Sequence, residues 1–507
     1  MLNRIRHLLL GSPLPTQRLG EERLNKIRAL AAFSPDALSS IAYANQEIYL
    51  GLVVAGGAGL SLTFPIGLAI TGLLVLVALS YFQTIHGYPT GGGSYVVARQ
   101  NLGTLPGLVA GAALLIGYLL TAAVSLTAGV EAIASAFPFL WSHRVSASLA
   151  LLTVIALLNL RGLRESGTLM AIPVYLFLCT YLPLLGYGVV RLWVHRPELA
   201  AAAPPPGEPL TALLILRTFS AGCTALTGIE AISNGVPAFR PPEARNAGRT
   251  LLVMALLMAL LFLGSTGLTQ ALAVVAPVQE TILSALARRL LGTGPLYVLI
   301  QVSTMLILVV AANTSFAGFP RLAMILARDG FLPRQLTSLG DRLVFANGIL
   351  LLGGATGLLI VAFGGDSHAL VPLFAVGVFL AFTLSQAGMV VHWWRNRDGT
   401  WWLKAALNSV GALATGTTVI VMGFTKFAQG AWITLLLIPL LVVTFLRIRA
   451  HYRQVAEQLS MHGLPPSLKP GCSRGKPMLS TWPTGTPERP GTPGFSPPAW
   501  WVMPSVP

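Results

Sequence analysis

Four carboxylates, Asp36, Glu47, Glu131 and Glu230, fall inside apolar stretches of this chain, and no Lys or Arg stands clearly at the same depth to balance them. Acids within hydrocarbon are costly and mark ion or proton pathways. A set of one sign favours a cation or a proton, and acids withdrawn from water suit reversible protonation. Asp36 and Tyr43 are seven residues apart, two helical turns along one face, and Gly117, Thr121 and Ser125 form an i, i+4, i+8 stripe. Thr227 precedes Glu230 by three residues. Hydroxyl and backbone oxygens from three such segments can surround a dehydrated monovalent cation. The residue types leave plainer roles open. Asp36 also fits a helix cap at the interface, Glu47 and Glu131 fit solvated helix ends, and Ser and Thr in membrane helices often bond a carbonyl one turn back.

Other chemistries lack their residues. The eight histidines are dispersed, no Ser/His/Asp or Cys/His grouping suggests hydrolysis, and three separated cysteines make neither a disulfide framework nor a metal-ligand spacing. Gly91, Gly92 and Gly93 follow one another, but the Walker lysine and a preceding strand are missing, so a tight re-entrant turn is expected in place of a nucleotide loop. An enzyme is not expected, nor is a cofactor.

The elements that position these groups are membrane helices. The chain has 507 residues, 54% hydrophobic and only 10% charged, with a mean hydropathy of +0.71. Runs of ~20 apolar residues define about twelve spans. The first lies in or just after Phe33–Glu47, the second covers Leu62 to Tyr81, and the others centre near Leu120, Val154, Leu178, Ala225, Leu260, Ile307, Ala355, Val376, Thr417 and Pro439. The net charge of +16 is a topology signal and does not point to nucleic acid, because Lys and Arg fall in alternate loops. Clusters at Arg4–Arg28, Arg161/Arg164, Arg240–Arg249, Arg321–Arg342 and Arg395–Lys404 share one side if the spans alternate, with Arg288 and Arg289 a small exception. Both termini are then cytoplasmic, in a multi-pass protein of the cell membrane.

Four segments are expected: a basic arm over 1–28, a transporter domain over 29–450, a polar helix over 451–464 and a Pro-rich disordered tail over 465–507. Within the domain, Ala37-Leu38-Ser39-Ser40-Ile41 matches Ala225-Leu226-Thr227-Gly228-Ile229. The copies lie in spans one and six. An odd offset of five helices inverts the second copy, which is the pattern of transporters with inverted repeats whose first and sixth spans break at the midplane. Pro35 with Ser34, Ser39 and Ser40 marks a stretch where backbone groups leave the helical ladder, which membranes tolerate beside a protein-lined cavity.

Longer motifs carry a resemblance. "FSPDALSSIAYANQEI", "GYPTGGGSYVVARQNLG", "YLLTAAVSLTAGVEAIASAFP", "FSAGCTALTGIEAISNGVPAFRPPEARNAGRTL" and "AANTSFAGFPRLAMILARDGFLPRQL" resemble the amino acid-polyamine-organocation (APC) superfamily, and within it the KimA-type potassium/proton symporters, from about residue 25 to 460. The resemblance implies an all-α, twelve-helix bundle with a five-plus-five inverted-repeat core and discontinuous helices 1 and 6. It also implies proton-driven potassium uptake and a homodimer. The implied cation ligands are Asp36, Tyr43, Thr121, Ser125, Thr227 and Glu230, with Asp36 and Glu230 as coupling acids.

The chain departs from that pattern in three places. Gly117 stands where the potassium transporters carry an aspartate, Gly318 stands where an acid is expected, and the Pro-rich tail replaces a folded cytosolic domain, as a truncated or frame-shifted end does. Loss of the acid at Gly117 widens the pocket and keeps an amino acid permease of the same fold as an alternative, although "SPDALSS" has no glycine break to offer bare amides to a substrate carboxylate and places Asp36 beside it. A non-transporting membrane sensor is the third reading.

Overall fold

The computed structural model describes residues 24–458, apart from Gly92, 163–166, 195–206, Val278, 339–343 and Asp398. The arm's Arg4 to Arg23, Arg164, Arg342 and the tail therefore lie outside the described residues. Among the described residues, the compact bundle ends at Arg453 and Gln454–Gln458 belong to a second unit.

The chain enters through α1 (Lys26–Phe33), capped by Asn25, whose side chain accepts from Arg28 N at 2.8 Å. Ser34 separates it from α2 (Pro35–Val53), which begins on a proline, a residue suited to a first turn because its missing N–H has no intrahelical partner to lose. Ser34 keeps helical angles (φ −91°, ψ −12°), and its N–H still reaches Leu30 O at 2.9 Å. This break is a one-residue interruption and not a loop.

A short α3 (Gly56–Leu60) and the long α4 (Thr63–Gly87) lead through the glycine turn to α5 (Ser94–Leu102) and α6 (Thr104–Ala136). Next come α7 (Arg144–Leu160), α8 (Gly167–Val194) and α9 (Ala212–Gly222). Then the helix fails: a 3-10 turn over Cys223–Leu226 gives way to extended Thr227 and left-handed Gly228 (φ +82°) before α10 (Ile229–Asn234) resumes. The chain continues through α11 (Glu243–Ala271), α12 (Ile282–Leu291), α13 (Pro295–Arg328), α14 (Ala346–Ala362), α15 (Ser367–Asn396), α16 (Trp401–Thr425) and α17 (Ala431–Gln458). The last helix runs unbroken through the start of the expected polar segment.

Among the described residues, ten segments are long and apolar enough to cross a membrane. Two further helices fall where spans are expected: α2, with 19 residues, carries Asp36 and Glu47, and α14 is an apolar helix of 17 residues. Every expected span centre lies on an α-helix except Ala225, which falls in the 3-10 turn between α9 and α10. The most apolar window of α6 is 83% buried against 22% for the segment containing α7, so α6 is central and α7 faces lipid. Exposed Leu358, Leu413 and Phe424 belong on that outer surface, where hydrocarbon makes apolar side chains the stable choice. Glu280 pairs with Arg288 at 2.5 Å, which gives that exception to the charge pattern a local partner.

Candidate functional site

Gly228 shows why the sixth span breaks where it does. Its left-handed angle is costly for any residue with a Cβ, and a Cβ there would also run into Ala37 N and the Asp36 carbonyl carbon. Glycine thus lets the break lie against the first turn of α2. The two copies of the sequence repeat meet there but differ in shape: Ser40 stays helical, whereas its counterpart Gly228 does not.

Two side-chain links join them. Ser40 Oγ donates to Ala225 O at 2.9 Å, and Tyr43 Oη lies 2.8 Å from Thr227 Oγ1, either of which can donate. All four residues are buried. Asp36 occupies the second position of α2, and its Oδ1 is buried without a hydrogen-bond partner. Thr121 and Ser125 lie buried on α6, which packs against α2, and Ser125 Oγ is likewise without a partner. Buried polar atoms are normally satisfied, so each of these unpaired oxygens calls for a ligand, an ion or a water. Gly117 lies one turn before Thr121, and a Cβ there would meet only Val378, at 3.8 Å. The missing acid therefore leaves space. At Gly318, by contrast, a Cβ would strike the Tyr118 ring.

Glu230 takes a different role from the other predicted ligands. Its Oε1 accepts from Ser94 N at 2.9 Å, the first residue of α5, and from Asn234 Nδ2 at 3.4 Å; Oε2 accepts from Tyr81 Oη at 3.5 Å. A carboxylate at a helix N-terminus satisfies free N–H groups and meets the positive end of the helix dipole. The glycine run belongs to the same contact: Gly91 is left-handed (φ +98°), and a side chain on Gly93 would collide with Asn234. Tyr118 bridges the two groups of residues. Its Oη accepts from Asn234 Nδ2 at 3.2 Å, and it lies within electrostatic reach of both Glu230 and Asp36.

At the far end of the bundle from the arm, the balance of charge differs from the sequence expectation. Glu47 and Glu131 are buried and are not solvated helix ends. His368 Nδ1 lies 2.9 Å from Glu47 Oε1, and Lys426 Nζ lies 3.7 Å from Glu47 Oε2. Glu131 accepts from Ser367 N at 2.9 Å and from Ser367 Oγ at 2.5 Å. The buried acids are thus not without a cation at their depth. No local signal pairs His368 or Lys426 with Glu47, because their separation in sequence exceeds 300 residues.

A helical bundle with two interrupted helices meeting at buried, unsatisfied oxygens defines a membrane transporter. The sequence model of the family described as "Amino acid permease" matches residues 28–445. The chain is 45% identical over 462 residues to the protein named "Potassium transporter KimA" of Bacillus subtilis, covering 90% of this chain and 76% of that one. It is 25% identical over 340 residues to an uncharacterized transporter of Mycobacterium tuberculosis, covering 66% of this chain and 72% of the relative. The chain belongs to the amino acid permease family of the APC superfamily.

Proposed function

We propose that this protein is a proton-coupled importer of potassium or a similar monovalent cation. The carrying observation is Asp36 Oδ1, a buried carboxylate oxygen without a hydrogen-bond partner among the described residues, on the helix turn that packs against the break at Gly228 where Tyr43 meets Thr227. A carboxylate and hydroxyls can replace the hydration shell of a potassium-sized ion. The 45% identical relative named a potassium transporter supports the same cargo. In this reading Asp36, Tyr43, Thr121, Ser125 and Thr227 are the ligands. Asp36 supplies the charge and, with Glu230, takes up and releases the coupled proton, without a cofactor.

Glu230 acts through α5. When charged it holds the N-terminus of α5 against α10; when protonated it loses most of that attraction, which couples proton occupancy to the position of the helix after the break. The arm end is cytoplasmic, the far end faces outside, the membrane is the cell membrane, and α2 and α14 complete twelve spans in a five-plus-five inverted repeat. A homodimer is part of the same reading.

The family description and the open space at Gly117 favour one alternative, an amino acid permease of the same fold. Asp36 argues against it, since a substrate carboxylate beside an acid is repelled. Uptake of labelled rubidium and of labelled amino acids by proteoliposomes under an imposed proton gradient separates the two. Rubidium accumulation without amino acid accumulation is expected; the reverse result selects the permease. Saturable binding with no flux of either selects a sensor.

A further inference from the structure

Two cavities meet at one residue. The first, of about 20 Å³, has Tyr43, Glu131, Ser367 and His368 in its lining. The second, about 390 Å³, is a vestibule at the far end lined by Glu47, Glu208, Arg217, Lys426 and again His368. His368 thus lines both the vestibule and a pocket that is also lined by the tyrosine bonded to Thr227. Its side chain is 31% exposed while that of Glu47 is 6% exposed, so the ring reaches water and its partner does not.

Several elements around the ring contribute charged groups. Glu47 comes from α2, Glu131 from α6, and Asp366 caps α15 itself by accepting from His368 N at 2.9 Å. Lys426, at the end of α16, answers Glu47 at 3.7 Å; Arg217 of α9 lines the vestibule beside it, and Arg144 answers Asp366 at 3.7 Å. The acids are held by fixed partners, whereas the contact with Glu47 engages Nδ1 of the imidazole and leaves Nε2 to take up and release a proton.

We propose that Glu47 and His368 form the outer proton relay of the transporter, passing the coupled proton from the vestibule into the pocket that Glu131 and Tyr43 line. The proposal rests on the proton-coupled reading above. Nδ1–H donates to the Glu47 carboxylate, which stabilises the charged ring when Nε2 takes a proton from the vestibule. The imidazole releases its Nε2 proton into the inner pocket, so one proton enters, one leaves and the ring ends neutral. Only O–H and N–H bonds change. The ring keeps its Nδ1–H throughout, so it returns to its starting tautomer.

The test uses the full chain in proteoliposomes, with two assays on the same preparation. One measures rubidium accumulation under an imposed proton gradient. The other measures exchange of labelled for unlabelled rubidium at equal concentration and pH on both sides, which needs the cation site and the moving helices but no net proton transfer. For His368→Gln the relay predicts at least about a tenfold loss of accumulation, with exchange within about twofold of wild type, as for removal of a proton-transfer group. Glu47→Gln, which keeps an oxygen to accept from Nδ1, follows the same pattern. Accumulation unchanged in both variants overturns the relay. Parallel loss of accumulation and exchange also overturns it and makes the pair a structural latch. Absence of exchange in the wild type removes the cation-transport reading beneath the proposal, and the relay with it.

Discussion

The Tyr43 hydroxyl lies 2.8 Å from Thr227 Oγ1, so one hydrogen bond ties the first span to the break in the sixth across 184 residues of sequence. Tyr43→Phe keeps the ring and its edge contact with Phe374 while removing that oxygen. A buried hydrogen bond contributes about 0.5–1.5 kcal/mol, so the KM for rubidium uptake rises roughly two- to tenfold, with expression and melting temperature close to wild type. Tracer uptake across a rubidium titration reads this directly.

Gly228→Ala is expected to damage the fold itself. The substitution adds a Cβ in a left-handed backbone and drives it into the first turn of α2. Strain at such a position costs about 1–3 kcal/mol before the collision is counted. Thermal unfolding in detergent shifts several degrees downward, and uptake falls with it. An unchanged melting temperature contradicts the close approach.

Gly117 and Gly318 both stand where an acid is expected, yet their surroundings differ. Gly117→Asp enters open space beside Val378, so the variant keeps its melting temperature, and its added carboxylate tightens rubidium binding by roughly tenfold, the size of one charge-assisted contact of about 1.5 kcal/mol. Gly318→Asp must displace the Tyr118 ring and lowers the melting temperature. Measuring both properties for the pair separates missing charge from missing room.

Glu230→Ala leaves Ser94 N–H without its acceptor, a loss of about 1–3 kcal/mol for a buried donor. Glu230→Gln retains an oxygen for that N–H and the fold, but removes the charge. Both variants lose proton-driven accumulation, and only the alanine variant shows a marked loss of thermal stability. A glutamine variant that accumulates rubidium as well as wild type does not fit a coupling role for Glu230.

Much of this arrangement was legible in the residues. Apolar runs of membrane length marked the spans, and Ala37–Ile41 against Ala225–Ile229 located the two segments that meet. The repeat did not reveal that only the second copy breaks sharply, because a single substitution, Gly228 for Ser40, decides it. Glu230 was recognisable as a buried acid, but its partner Ser94 lies 136 residues away on a helix after the glycine turn. His368 and Lys426 were missed for the same reason. Each is an ordinary polar residue near a helix end until folding sets it beside Glu47. Local periodicity specifies faces of helices, whereas pairing between distant helices is a property of the packed bundle.

The most direct test of the central claim is rubidium accumulation in proteoliposomes, with and without an imposed inward proton gradient, by wild type and by Asp36→Asn. Asp36 Oδ1 is buried without a hydrogen-bond partner among the described residues. Gradient-dependent accumulation by wild type, lost in a folded Asp36→Asn variant, is the predicted result. Equal accumulation by the two proteins, or none by a well-folded wild type at any gradient, contradicts proton-coupled cation transport through this site.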